Sequence, residues 1–177
     1  MSILLGCAGK KPNAENQTLD FGSFSIVTPK GWTKINAKGT DSYVGRISID
    51  NTDTIHFDLG WYSNKLSEQE PQIIERSMLK NMDGFDTSQF IIVDSRHSID
   101  LDNFRKNNIS WDSIDGRKAK IVFPINSGVG TTGIYIDSLW QGGLHTDRFN
   151  LYGINLKPAN EKLLLQALKT LRFHKIK

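Results

Sequence analysis

Apolar and polar residues alternate along several short stretches of this chain, and such alternation is typical of β-strands that bury one face. The pattern is clearest toward the carboxyl end, where three strand-like stretches cover residues 118–125, 133–140 and 148–156. Residues 160–171 follow them with leucines at helical spacing and polar residues between. These elements predict a sheet with an amphipathic helix packed against it.

Earlier parts of the chain repeat the strand-like alternation in five stretches. Strands are predicted at 21–28, 43–49, 54–62, 89–94 and 109–114. The polar segment 50–53 joins two of these strands, and Asp115-Gly116 joins 109–114 to 117–125. Both links predict β-hairpins, and Asp-Gly favours a type I′ turn because both central residues need a positive φ.

One earlier segment has helical spacing instead. Ile74, Met78 and Met82 recur every four residues, and Pro71 fits the first turn of a helix. A first helix is therefore predicted within 67–82. The predicted fold class is α+β: a mostly antiparallel sheet with two main helices packed against it, forming a single domain over residues 19–177.

Composition limits the function classes. The chain has 177 residues, of which 38% are hydrophobic and 23% charged, and its net charge is +3. The basic residues are scattered, which argues against a nucleic-acid-binding groove, and no apolar run is long enough to span a bilayer. We expect a monomer that needs no cofactor.

The first residues resemble the lipobox of bacterial lipoproteins. Leu4-Leu5-Gly6 precedes Cys7, the single cysteine of the chain, and residues 8–18 are polar. The resemblance implies a lipid on the Cys7 sulfur, which would anchor the protein in a membrane of the bacterial cell envelope. Residues 1–18 are accordingly interpreted as a truncated signal segment followed by a polar tether.

The order of elements resembles the PsbP-like fold superfamily over residues 19–175. The signatures are Pro29, Gly31 and Trp32 after the opening strand, and Leu171-Arg172-Phe173 at the end of the last helix. The resemblance implies a PsbP-like sandwich. It also implies a non-enzymatic role, because most members are binding, chaperone or assembly factors.

Familiar catalytic and metal-binding patterns are incomplete. Residues 128–133 spell Gly-x-Gly-x-x-Gly, but a strand-like stretch follows where a dinucleotide site needs a helix. The histidines at 56, 97, 145 and 174 lack metal-ligand spacing. Residues 100–111 begin like a calcium loop but lack its glycine and its final glutamate. We therefore predict no catalytic residues, no metal site and no enzyme.

Aromatic residues are the remaining candidates for function. Four of them are predicted to contact a protein partner: Trp61, Tyr62, Trp111 and Trp140. The sequence thus predicts a lipid-anchored envelope protein that acts as a partner-binding module. Two alternatives stay open: an intracellular chaperone or immunity-type binding protein in the cytoplasm, and a small hydrolase whose site is built from residues distant in sequence.

Overall fold

The computed structural model describes residues 15–68, 72–80, 84, 86–88, 90–142 and 145–174. Within these residues the chain forms twelve β-strands and two α-helices. The strands are β1 (Asn16–Asp20), β2 (Phe24–Pro29), β3 (Thr33–Asn36), β4 (Tyr43–Ser48), β5 (Thr54–Gly60), β6 (Gln72–Glu75), β7 (Phe90–Val93), β8 (Asn107–Ile114), β9 (Arg117–Pro124), β10 (Thr131–Gly142), β11 (His145–Ile154) and β12 (Arg172–Phe173). The helices are α1 (Arg76–Leu79) and α2 (Pro158–Leu168), and two short 3-10 helices cover Arg96–Ser98 and Leu101–Phe104.

Seven strands form the main sheet, in the order β3-β4-β5-β11-β10-β9-β8, with every neighbouring pair antiparallel. A second antiparallel sheet has the order β1-β2-β12 and so joins the two ends of the described chain. The short strands β6 and β7 pair in parallel as a separate unit.

The hydrophobic core lies between the main sheet and a layer made of β2 and α2. Phe24 on β2 is fully buried, and its ring lies 4.9 Å from the rings of both Phe57 and Phe149 on the main sheet. Leu164 and Leu168 of α2 are buried in the same cluster. One face of the main sheet is therefore covered. Because successive side chains of a strand point to opposite faces, every second side chain points to the other face.

The prediction of an α+β sandwich with two main helices is wrong. Among the described residues, 52% are in strands and 15% in helices, so the fold is mostly sheet. In the part of the chain that the structure describes, only α2, with 11 residues, packs against the main sheet as a substantial helix. The PsbP-like sandwich was expected as this same arrangement of two helices on a sheet, so that expectation is wrong as well.

The predicted helix within 67–82 is the main source of this error. Residues 72–75 form β6, whose Ile73 and Ile74 lie opposite Ile91 and Ile92 of β7, and α1 is a single turn. The short apolar pattern of these residues is compatible with either a helix or a strand. β-Branched residues favour strands, and pairing with β7 selects the strand. Met78 is 51% exposed and forms no buried helical stripe.

Other predictions are confirmed. The two predicted hairpins form as β4–β5 and β8–β9, and Asp115 and Gly116 take φ values of 50° and 74°, as a type I′ turn requires. The glycine-rich segment 128–133 leads into strand β10, not into a helix. The predicted final helix forms as α2, but it begins at Pro158 and ends at Leu168, three residues before the predicted end at 171. Strand β1 begins at Asn16, inside the segment interpreted as tether, and Cys7 lies outside the described residues.

Candidate functional site

One face of the main sheet points away from α2 and is here called the open face. It carries two rows of residues whose positions follow from the strand register. Strands β4, β5, β11, β10, β9 and β8 contribute to both rows in that order. The first row is Arg46, His56, Tyr152, Gly133, Val122 and Ile109. The second row is Val44, Asp58, Asn150, Tyr135, Lys120 and Trp111.

Residues 61–68, here called the strap, cross the open face from the end of β5 to the start of β8. The Ser63 hydroxyl lies 3.2 Å from the Arg148 carbonyl, and the side-chain amide of Asn150 donates to the Asn64 carbonyl at 3.0 Å. Lys120 donates through Nζ to the Lys65 carbonyl at 2.8 Å. These bonds hold the strap on β11 and β9.

The far end of the strap is fixed by a carboxylate. Glu68 accepts hydrogen bonds from the backbone N–H groups of Lys106 at 2.6 Å and Asn107 at 3.3 Å. The strap is therefore held at both ends and in the middle. It divides the open face into separate surfaces.

An aromatic patch lies where the strap begins, and it consists of Trp61, Tyr62 and His145. The Trp61 and His145 rings are stacked, with centroids 3.9 Å apart, and the Trp61 and Tyr62 centroids are 4.9 Å apart. Arg148 donates through Nη1 to the Trp61 carbonyl at 2.9 Å. Tyr62 is 67% exposed, so the patch presents aromatic surface to solvent.

Next to Arg148, a tyrosine–carboxylate pair supports this part of the sheet. The Tyr135 hydroxyl donates to Asp137, and Asp137 Oδ1 lies 3.4 Å from Arg148 Nε. Burial and the neighbouring Asp137 carboxylate hold the pKa of the Tyr135 hydroxyl well above its ordinary value. Tyr135 thus keeps its proton near neutral pH, which suits a structural donor and not a general base.

A polar groove with a volume of about 530 Å³ opens on the other side of the strap. The residues that give it chemical character are Arg46, His56, Asp58, Asn64, Asn150 and Tyr152. The His56 and Tyr152 rings are stacked with centroids 5.8 Å apart. Burial, together with the Arg46 charge, lowers the pKa of His56, so this imidazole is neutral near pH 7.

A second groove, of about 590 Å³, lies at the β8 edge of the same face, and the charged residues Glu68, Asp102 and Arg105 line it together with apolar residues. Its apolar wall is formed by Leu66, Leu101, Phe104, Ile109, Val122 and Ile125. Ile109 is 57% exposed, whereas Val122 is buried at the bottom. The open face therefore carries two grooves, one lined by Asn64 of the strap and the other by Leu66 and Glu68, while the aromatic patch lies at the start of the strap.

The structure brings together only two of the four aromatic residues predicted from the sequence. Trp61 and Tyr62 are neighbours in the aromatic patch. Trp111 is 60% exposed on the edge strand β8, where Lys118 Nζ lies 4.5 Å from the centre of its ring. Trp140 is half-buried and packs against the core. Cys7, the predicted lipidation site, lies outside the described residues.

Sequence reasoning missed the polar groove and the contribution of His145. Arg46, Asn150 and Tyr152 come from strands that are distant in sequence, and only the register of β4, β5 and β11 places them side by side. The sequence contained one signal that could have indicated the polar groove. Polar residues stand at alternate positions of a predicted strand, and this places His56 and Asp58 on one strand face.

Comparison with models of known protein families found no match, and a search among curated proteins found none either. Among the described residues, no group of three or more His, Cys, Asp or Glu side chains is arranged to hold a metal ion. In the same part of the chain, no helix has the length and apolar character needed to cross a membrane. The aromatic patch and the two grooves are therefore the candidate functional surfaces.

Proposed function

We propose that this chain is a non-catalytic binding module that holds a protein partner through the aromatic patch. The observation that carries the proposal is the stacked pair of Trp61 and His145 with Tyr62 beside it, exposed at the start of the strap. Tryptophan and tyrosine dominate the binding energy of many protein interfaces because they bury a large area while ordering few bonds.

The surroundings of the patch favour binding without large rearrangement. The Trp61 carbonyl is held by Arg148, and Ser63 is buried with its hydroxyl near three backbone carbonyls. A surface that is already ordered loses little conformational entropy when a partner covers it. We propose that the partner presents an exposed peptide segment, and that an apolar side chain of this segment covers the rings of the aromatic patch.

Site-specific crosslinking tests this proposal. A photoreactive phenylalanine analogue at position 62 is expected to give one discrete adduct in the native cells, and an analogue at the exposed Tyr43 is expected to give none. The partner identified from the adduct should then bind Trp61→Ala more weakly by about tenfold or more, the effect of losing about 1.4 kcal/mol or more at a hot spot.

Trp111 provides the matched control because it is an exposed tryptophan on the edge strand β8, three strands away from the strand β11 that carries His145. Trp111→Ala should leave the affinity for the identified partner within about twofold, a change of less than about 0.5 kcal/mol. Equal losses from the two variants would contradict the assignment of binding to the aromatic patch.

We also propose that Cys7 carries a lipid and that the module works at the bacterial cell envelope. The sequence Leu4-Leu5-Gly6-Cys7 and the polar residues after it support this part of the proposal. Metabolic labelling with a fatty-acid analogue should label the protein expressed from its own gene and leave Cys7→Ser unlabelled. An unlabelled wild-type protein would remove the anchor and favour the cytoplasmic alternative.

A further inference from the structure

Two residues that line the polar groove, Asp58 and Asn150, each carry a buried acceptor atom without a donor in the described part of the chain. Asn150 is only 1% exposed, and its Nδ2 donates to the Asn64 carbonyl, which fixes the side-chain amide. Its Oδ1 is buried and has no hydrogen-bond partner among the residues that the structure describes, and the same is true of Oδ1 of Asp58, the residue opposite it on β5. A buried acceptor without a donor is unfavourable by about 1–3 kcal/mol, and a charged one by more.

Two such acceptors on neighbouring strands favour a ligand group that carries several donors and a positive charge. A primary ammonium group has three N–H donors and no acceptor, so it can satisfy a carboxylate and an amide oxygen together. A neutral hydroxyl has one donor and satisfies only one of them.

The groove also has a cationic end. Arg46 lies opposite His56, and Asp58 lies opposite Val44, so Arg46 and Asp58 are diagonal neighbours on adjacent strands. Both line the groove, yet no ion pair joins them. Arg46 also makes no ion pair with any other residue in the described part of the chain, so its guanidinium, with five N–H donors, is available for a carboxylate.

The size and wall of the groove suit a small molecule. A volume of about 530 Å³ falls within the range of small-molecule sites, roughly 300–1,000 Å³. The stacked rings of His56 and Tyr152 form part of the wall, and the His56 imidazole is neutral because burial and Arg46 lower its pKa. The groove therefore combines an anionic end, a cationic end and an aromatic wall.

From these features we propose that the polar groove is a second binding site, which takes a free α-amino acid. Its ammonium group donates to Asp58 and Asn150, its carboxylate binds Arg46, and its side chain lies against His56 and Tyr152. This inference is independent of the aromatic patch, because none of these side chains belongs to the patch.

Two-dimensional NMR with the intact protein tests the site. Each standard L-amino acid is added at about 10 mM, enough to fill a site with a Kd near 1 mM. At least one is expected to shift the side-chain amide signals of Asn150 and the backbone signals of residues 56–58. If none of them shifts the Asn150 amide, the proposal is wrong.

Analogues of the best-binding amino acid test which groups are recognised. The amide derivative lacks the carboxylate and the deamino acid lacks the ammonium, and each should bind at least about tenfold more weakly, as expected for losing one charge-assisted pair. An analogue that binds as tightly as the amino acid would overturn the assignment of a zwitterion.

Paired variants locate the two ends of the ligand. Asp58→Asn keeps the shape of the side chain and Arg46→Gln changes an exposed residue, so both should keep the fold, which a thermal melt checks. Each should weaken binding by about tenfold. The matched controls Asp112→Asn and Arg76→Gln, exposed residues outside the groove, should bind normally. Unchanged affinity in both groove variants would refute the proposal.

Discussion

At the scale of single residues, Asp53 shows how one carboxylate joins two distant elements. It is 8% exposed in the turn between β4 and β5, and its Oδ2 accepts from the backbone N–H of Lys157 and from the side-chain amide of Asn160, both at 2.8 Å. Helix α2 has no side-chain cap of its own at Lys157. The hairpin therefore supplies the capping acceptor and a negative charge at the positive end of the helix.

Asp53→Ala is expected to lower the free energy of unfolding by about 2–3 kcal/mol, because it leaves the Lys157 N–H and the buried Asn160 amide without their charged acceptor. Urea denaturation measures the change. Asp41→Ala, at an exposed position, should change stability by less than about 0.5 kcal/mol. Similar losses in both variants would show that Asp53 has no special role.

The hydrogen bonds of Asp50, in the same turn, are expected to make the stability of the fold depend on pH. Hydrogen bonds from the backbone N–H groups of Asp53 and Thr52, and from the Lys157 and Asn160 side chains, hold the pKa of this carboxyl well below its ordinary value. The folded state thus binds a proton less readily than the unfolded state. The stabilisation that ionised Asp50 contributes to the folded state is present above the pKa of the unfolded state, about 3.9. It is lost as the pH falls below that value toward the lower pKa of the folded state.

Thermal melts from about pH 6 down to about pH 2 check this prediction, in a range that spans the unfolded pKa. Asp50→Asn should melt at a lower temperature than wild type at neutral pH. Its melting temperature should also fall less steeply below about pH 4, because one of the titrating groups is gone. An unchanged slope would mean that other carboxyl groups account for the acid sensitivity.

At the scale of elements, the strap is an irregular segment that side chains hold in place. Glu68→Ala removes the acceptor for the N–H groups of Lys106 and Asn107. We expect these amides to exchange with deuterium about five- to tenfold faster, the effect of losing about 1–1.4 kcal/mol locally, with global stability nearly unchanged. Residue-resolved hydrogen exchange measures this, with Ser67→Ala as control. If the exchange rates of these two amides do not change in Glu68→Ala, Glu68 does not hold the end of the strap.

The elements that the sequence predicts correctly are those with local causes. The β8–β9 hairpin follows from alternation on both sides of Asp115-Gly116, where the turn itself fixes the register. The predicted helix within 67–82 fails because β6 is stabilised by β7, a partner that local spacing does not reveal. Short apolar runs are ambiguous between helix and strand until such a partner is known.

The same distinction applies to the candidate sites. Trp61 and Tyr62 are adjacent in the sequence, so their proximity needs no knowledge of the fold. His145 joins them only because β11 lies beside β5. The facing positions of Asp58 and Asn150 likewise depend on the β5–β11 register, and a shift of either strand by one residue would turn its own side chain toward the core and separate the two.

At the scale of the whole molecule, the last described strand joins the two antiparallel sheets. The backbone N–H of Phe173 donates to Asp115 Oδ2 at 3.0 Å, which links β12 to the β8–β9 turn of the main sheet. The Phe173 ring packs edge-on against Phe149 with centroids 5.0 Å apart, and the Arg117 guanidinium lies 5.2 Å from its centre. The small sheet and the main sheet therefore share one core.

A shared core predicts that both sheets unfold together. Phe173→Ala should lower the free energy of unfolding by about 3–5 kcal/mol, because it leaves a cavity between the sheets. Phe104→Ala, at a residue that is 38% exposed, should lower it by less than about 1 kcal/mol. Tryptophan fluorescence and far-ultraviolet circular dichroism should shift to the same lower urea midpoint in Phe173→Ala. Two separate transitions would show that the small sheet unfolds independently, because a single cooperative core cannot lose one sheet while it keeps the other.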